Sequence, residues 1–187
     1  MSTTSRPFRI DEFFKMEELG FFDPDQRYEL LDGRVVFRAV EAGPDHAGVI
    51  ARMTQKLVLA LGEKAIVFPQ CSLPLSRYSA PMPDLYVVPP RDDFYQSGAP
   101  SIAELFAVVE VSGSSLAIDR GEKLRLYARA GVREYWIANL ADRTIDKRHL
   151  PHDLGYDKLE TYAGRDLVRF EAFPAITFTV DELLGPA

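Results

Sequence analysis

The stretch "AVVEVS", residues 107–112, sets a carboxylate, Glu110, inside an apolar run of Ala107, Val108, Val109 and Val111. Such a run is expected to form a strand buried on both faces of a sheet. A lone carboxylate there is costly unless something pairs with it. Thirteen residues further on, Lys123 falls on the apolar side of a helical pattern. Lys123, Leu126, Tyr127 and Ala130 follow the i, i+3, i+4, i+7 spacing, and Leu124 and Ala128 widen that face. Glu122, Arg125 and Arg129 lie opposite. One reading lets the lysine stem run along the edge and carry its amine to water. The other uses the right-handed crossover, which lays the helix across the sheet so that the amine meets Glu110.

A third charge, Asp84, opens "PDLYVV". Alone it reads as a turn aspartate after Pro83. With Glu110 on a neighbouring strand and a lysine close by, it completes a chemical kit. Two carboxylates hold a hard cation such as Mg²⁺, with waters and a substrate phosphate oxygen completing the shell. The cation offsets the charge of Glu110 and lowers the pKa of a bound water. The lysine positions that water or stabilises charge developing on phosphate. A metal paired with Glu110 is therefore the expected reason that the strand tolerates it.

Other residues are weaker candidates. His46, in "PDHAG", sits in a first helical turn, where it either contacts phosphate or carries a proton, or serves local packing. Arg120, Arg125, Arg129 and Arg133 form either a basic strip or a solvated face, interrupted by Glu122 and Glu134. Of Tyr135 and Trp136, alternation sends one inward and leaves the other for stacking on a base. Gly113, Ser114 and Ser115 supply either phosphate contacts or a strand-to-helix turn. His149 and His152 read as late-loop residues with nothing to recommend them, and no clustered Cys and His suggest zinc.

These side chains need a scaffold, and its elements are legible. "RIDEFFKMEEL" reads as a short amphipathic helix, and "RYELLDGRVVFRAV" as a hairpin turning at Asp32-Gly33. "PDHAGVIARMTQKLVLALG" reads as a helix started by Pro44 and stopped by Gly62, with Ala47, Ile50, Ala51, Leu57, Val58 and Leu61 inward. "AIVFPQCSLPL", "PDLYVV" and "LFAVVEVS" read as strands, and "IDRGEKLRLYARAG" as a helix ending at Gly131. "REYWIANL" and "TIDKRHL" are strands around the turn "ADR"; "KLETYA" and "ITFTV" are weaker strands, and "DELL" closes the chain. The pattern predicts a single α/β domain over residues 1–187: a mixed sheet flanked by helices, with additional β-hairpins.

Bulk properties agree. At 187 residues, 47% of them hydrophobic and 27% charged, the chain has an ordinary globular composition. No apolar stretch approaches the ~18 residues of a membrane span. The first residues lack the apolar core of a secretion signal. Cys71 is the sole cysteine; it is expected as a small core residue of a cytoplasmic chain. The formal net charge of −6 argues against a general nucleic-acid binder, but not against a local basic groove.

The combination of "PD" at Asp84, "EVS" at 110–112 and a lysine on the next helix resembles the PD-(D/E)xK nuclease superfamily. In the superfamily's usual form the lysine stands two residues after the glutamate, where this chain has Ser112; Lys123 matches a lysine migrated to the helix. That arrangement is similar to the Uma-two family of restriction-endonuclease-like proteins. The likeness takes in "RYELLDGRVV", "DH", "PDLYVV", "VVEVSGSS", "DRGEKLRLYARAGVREYWI" and "ITFTVDEL" in order. It implies a restriction-endonuclease-like fold and a site for Mg²⁺ or Mn²⁺ at Asp84, Glu110 and the backbone carbonyl of Val111. It also implies catalysis by Lys123 and an acidic position at Glu29, which either holds a metal-shell water or orients the lysine, or is an outward residue of the hairpin strand. The implied activity is metal-dependent hydrolysis of phosphodiester bonds in nucleic acid, more readily DNA than RNA, by a homodimer that reaches both strands. The alternative is a nuclease-derived binding or regulatory module that keeps the pocket without turnover. A third reading, hydrolysis of a small phosphorylated substrate, would suit a narrow pocket without a groove.

Overall fold

The structure is a computed structural model that describes residues 6–38 and 43–186. Its elements follow the order α1 (Ile10–Glu18), β1 (Arg27–Leu31), β2 (Arg34–Arg38), α2 (Pro44–Leu61), β3 (Ile66–Pro69), β4 (Leu85–Val88), β5 (Ala107–Ser112) and α3 (Leu116–Ile118). A π-helical turn (Asp119–Lys123) then leads into α4 (Leu124–Ala130), β6 (Glu134–Asn139), β7 (Thr144–His152), β8 (Gly155–Ala163), β9 (Leu167–Val168), β10 (Phe178–Thr179) and α5 (Val180–Leu184). Packing divides the chain into two compact units, Met1–Glu41 with Ser72–Met82, and Ala42–Cys71 with Pro83–Ala187.

The first unit is built on the β1–β2 hairpin. Asp32 and Gly33 both take positive φ, 47° and 75°, as the tight two-residue hairpin turn requires. Gly33 has a second reason: a Cβ there would lie 2.2 Å from the Pro7 Cβ. Phe13, Leu30 and Ala80 are buried at its core, joined by Phe22 stacked on Tyr28. Residues 39 and 40 of the expected hairpin lie outside the described residues.

The second unit carries a six-stranded sheet ordered β3-β4-β5-β6-β7-β8. Among the described residues, β5–β6 is its parallel pair, and the other pairs are antiparallel. One face packs on α2 and α5 through Val109, Val111, Trp136, Ala138 and Ile145, with Trp136 stacked on Phe170. Alternation then turns Glu110 and Ser112 to the opposite face, towards the segment from α3 to α4.

The structure corrects several expectations. Val49, Ile50, Met53, Leu57 and Leu61 form the inner face of α2, whereas Ala47, Ala51 and Val58 are exposed. The backbone leaves strand geometry after Pro69, because Gln70 takes φ 50°. Cys71 is half-buried rather than a core residue. His149 and His152 belong to β7, and His149 is buried with Nδ1 2.6 Å from Glu171 Oε1. Val180 opens α5 instead of ending a strand. No helix among the described residues is long and apolar enough to cross a membrane.

Candidate active site

The C-terminal end of β5 gathers the charged groups. Glu110 is 1% exposed and Lys123 is fully buried. Lys123 Nζ donates to Glu110 Oε1 at 2.8 Å. The Tyr127 hydroxyl donates to the same oxygen, also at 2.8 Å. Lys123 and Tyr127 stand four residues apart, so successive helical turns bring both donors to one side. The charge on Glu110 is thus met by a cation and a phenol of the same chain. The hydroxyl of Tyr127 escaped the sequence reading because its ring already satisfied the apolar pattern.

Asp84 enters from the neighbouring strand. The Leu85–Val109 pairing sets it beside the end of β5. Its Oδ2 accepts from the Val111 amide at 2.9 Å. His46, in the first turn of α2, places Nε2 3.4 Å from the same oxygen, and Gln70 Nε2 lies 3.4 Å from Oδ1. His46 belongs to the first turn of the 18-residue α2, its positive end. Burial acts to raise the Asp84 pKa, but His46, the Val111 amide and the Lys123 charge outweigh it and hold the carboxyl below the ordinary value.

That depression has a sign that can be tested. A carboxyl with a lowered folded-state pKa stabilises the fold above its unfolded pKa and loses that contribution as the pH falls through the folded value. Below about pH 4, where an ordinary aspartate titrates, the urea midpoint of the wild type should fall more steeply than that of Asp84→Asn, and the two curves should converge. Curves that stay parallel on acidification would remove Asp84 from this network.

The remaining candidates have the following surroundings. Glu29 is buried on β1 in the first unit, where Oε1 accepts from the Met82 amide at 2.6 Å. Arg120 is held by Asp146 at 2.9 Å, while Arg125, Arg129 and Arg133 are exposed. Tyr135 and Trp136 are both fully buried, because β6 is covered on both faces, so neither ring stacks on a base. Ser115 serves the turn itself, donating to Asp119.

The donor set suits a hard divalent cation. Asp84 and Glu110 offer carboxylate oxygens, and Val111, whose amide donates to Asp84, offers a backbone carbonyl on the same strand end. Among the described residues no group of three His, Cys, Asp or Glu side chains can hold a metal. A cation here would complete its shell with waters and a substrate oxygen, as Mg²⁺ commonly does.

Comparison with known proteins bears on the family and the fold. A family model, Uma2, described as "Putative restriction endonuclease", matches residues 10–181. Among solved structures, the chain is similar to "a putative nuclease belonging to DUF820 from Anabaena variabilis ATCC 29413". The TM-score is 0.71 at 15% identity, over 95% of this chain and 98% of that one. At that identity the likeness establishes the fold alone, a mixed α/β architecture. No curated protein matches the chain.

Proposed function

The chain belongs to the Uma2 family, and from that membership and the geometry at the end of β5 we propose that it is a metal-dependent nuclease hydrolysing phosphodiester bonds in nucleic acid, DNA in preference to RNA. The observation that carries this reading is the buried meeting of Lys123 with Glu110, within electrostatic reach of Asp84. The family match runs across both compact units, which supports one functional domain.

Asp84 and Glu110, with the Val111 carbonyl, would hold Mg²⁺ or Mn²⁺. When bound, the cation supplies an activated water at neutral pH and offsets carboxylate charge. Lys123 keeps a proton on Nζ and presents positive charge to the phosphate oxygens as negative charge builds there. Tyr127 holds the Glu110 oxygen that Lys123 also contacts, which fixes the carboxylate's rotamer. His46, anchored beside Asp84, reaches phosphate or exchanges a proton with solvent. A homodimer would bring two such sites to the two strands of a duplex.

A second reading is favoured by one observation. Lys123 and Tyr127 already satisfy Glu110 Oε1 without a metal, as suits a binding module that keeps the pocket without turnover. Supercoiled plasmid, single-stranded DNA and RNA, each incubated with Mg²⁺ or Mn²⁺, separate the two. The nuclease reading expects cutting of plasmid that disappears in Glu110→Ala; binding without cutting in either metal leaves the module.

A further inference from the structure

We infer that Asp119 and Ser112 are positioning residues for Lys123, an assignment that rests on the nuclease reading above. Asp119 is fully buried and opens the π-helical turn that ends at Lys123. A π-helical turn holds an extra residue per turn and is rare, so something must stabilise it. Here Asp119 Oδ2 accepts from Ser112 Oγ at 2.8 Å and Ser115 Oγ at 2.5 Å. Its backbone carbonyl accepts from the Tyr135 hydroxyl at 3.0 Å. Ser112 stands two residues beyond Glu110 and shares its face of β5. The strand end that carries the carboxylate therefore also grips the turn that delivers the lysine.

A second anchor fixes the turn's orientation. Arg120 donates to Asp146 Oδ2 through Nε at 3.1 Å and through Nη2 at 2.9 Å. Asp146 is buried and accepts from Thr161 Oγ1 at 2.8 Å. Pairing across the sheet sets Glu110, Ile137, Asp146 and Thr161 in one row. Residues directly opposite share a face, so Glu110 and Asp146 lie two strands apart, about 10 Å, on the side where the turn packs. Lys123 and Arg120, three residues apart, each take one carboxylate of that row. Two cation–carboxylate contacts set the register of the turn along the row, and Asp119 holds its first residue against β5. Burying a charged Asp119 has a cost that an apolar residue would not have; what the carboxylate adds is a directed hold on Ser112 and Ser115.

Ser112→Ala and Asp119→Asn test the inference, and Ser112→Thr serves as the conservative rescue. The native protein is treated with an amine-acylating reagent, and labelling is read peptide by peptide against exposed Lys64. Lys123, fully buried in the wild type, should label about tenfold faster in the first two variants, the factor expected for loss of one buried hydrogen bond. Plasmid turnover at saturating DNA in Mg²⁺ should fall by a similar factor, with the half-saturating DNA concentration unchanged. Ser112→Thr should restore both. If Asp119→Asn does not fold, Ser112→Ala, which removes a single hydroxyl, decides. Unchanged Lys123 labelling in a folded variant overturns the inference whether or not the wild type cuts DNA. Faster labelling with undiminished turnover overturns it as well. Faster labelling in a protein whose wild type cuts nothing upholds the placement of Lys123 and removes the nuclease reading instead.

Discussion

Lys123→Met should lower plasmid cleavage by a factor of about 10² to 10³, the scale associated with loss of one preorganised charge-stabilising group. The same change should destabilise the metal-free protein by about 3–5 kcal/mol, because it removes one partner of a buried ion pair and leaves the other charge in place. The geometry behind the second figure is direct. The Lys123 ammonium lies 2.8 Å from Glu110 Oε1, and the two side chains are 0% and 2% exposed. Methionine keeps most of the stem's volume, so the substitution chiefly removes the charge. Added Mg²⁺ should then recover part of the lost stability, because the cation meets the carboxylate charge that lysine no longer meets and binds only the folded state. Urea titrations with and without Mg²⁺ read the stability, and a plasmid assay reads the activity. A folded Lys123→Met protein that cuts at the wild-type rate would end the catalytic assignment. Stability indistinguishable from wild type would mean that the pair does not carry buried charge.

Combining Lys123→Met with Glu110→Gln should separate stability from activity. Glu110→Gln alone strands an ammonium and should cost about 3–5 kcal/mol. Mg²⁺ should raise the melting temperature of the wild type, as a ligand of the folded state does, and Glu110→Gln should abolish that rise. In the double variant both charges are gone, and the glutamine carbonyl can still accept from the Tyr127 hydroxyl. Its stability should return close to wild type, since neutral replacements of a buried pair are often tolerated, while cleavage stays absent. The two single losses are in contact and are not expected to add. A double variant as unstable as the sum of the singles would show that the two groups act independently.

What could be read beforehand divides along physical lines. Local backbone chemistry was legible: Asp32-Gly33 turns the hairpin, Pro44 opens α2, and Gly62, at φ 54°, closes it. The buried carboxylate and the lysine 13 residues later were legible because each breaks a periodic pattern. The inward face of α2 was legible at Ile50, Leu57 and Leu61 but not throughout, because its apolar residues go nearly all round; packing against the sheet selected Val49 and Met53 over Ala47 and Ala51. The π-helical turn was hidden because it shifts helical phase by about one residue, which a fixed 3.6-residue period does not register. Asp119, Ser112 and Asp146 were hidden too. Their partners are set by strand register and by pairing across the sheet, and single residues in a string carry neither. Gln70 gave no signal beyond its own polarity, since its contact with Asp84 depends on a left-handed backbone at that position.

The crossover from β5 to β6 bears on how the chain folds. Parallel pairing across long loops is slow, because loop closure must precede any contact that rewards it. Here Glu110, Ser112, Asp119, Lys123 and Tyr127 all fall within 18 consecutive residues, 110–127. Closing that short loop has a small entropy cost, and the carboxylate, the turn and the lysine assemble as one nearly local unit. This cluster should then form along with the strand–helix–strand unit, before the distant edges β3 and β8 need to join. Substitutions within it should therefore slow refolding, and changes at the outer strands should instead speed unfolding.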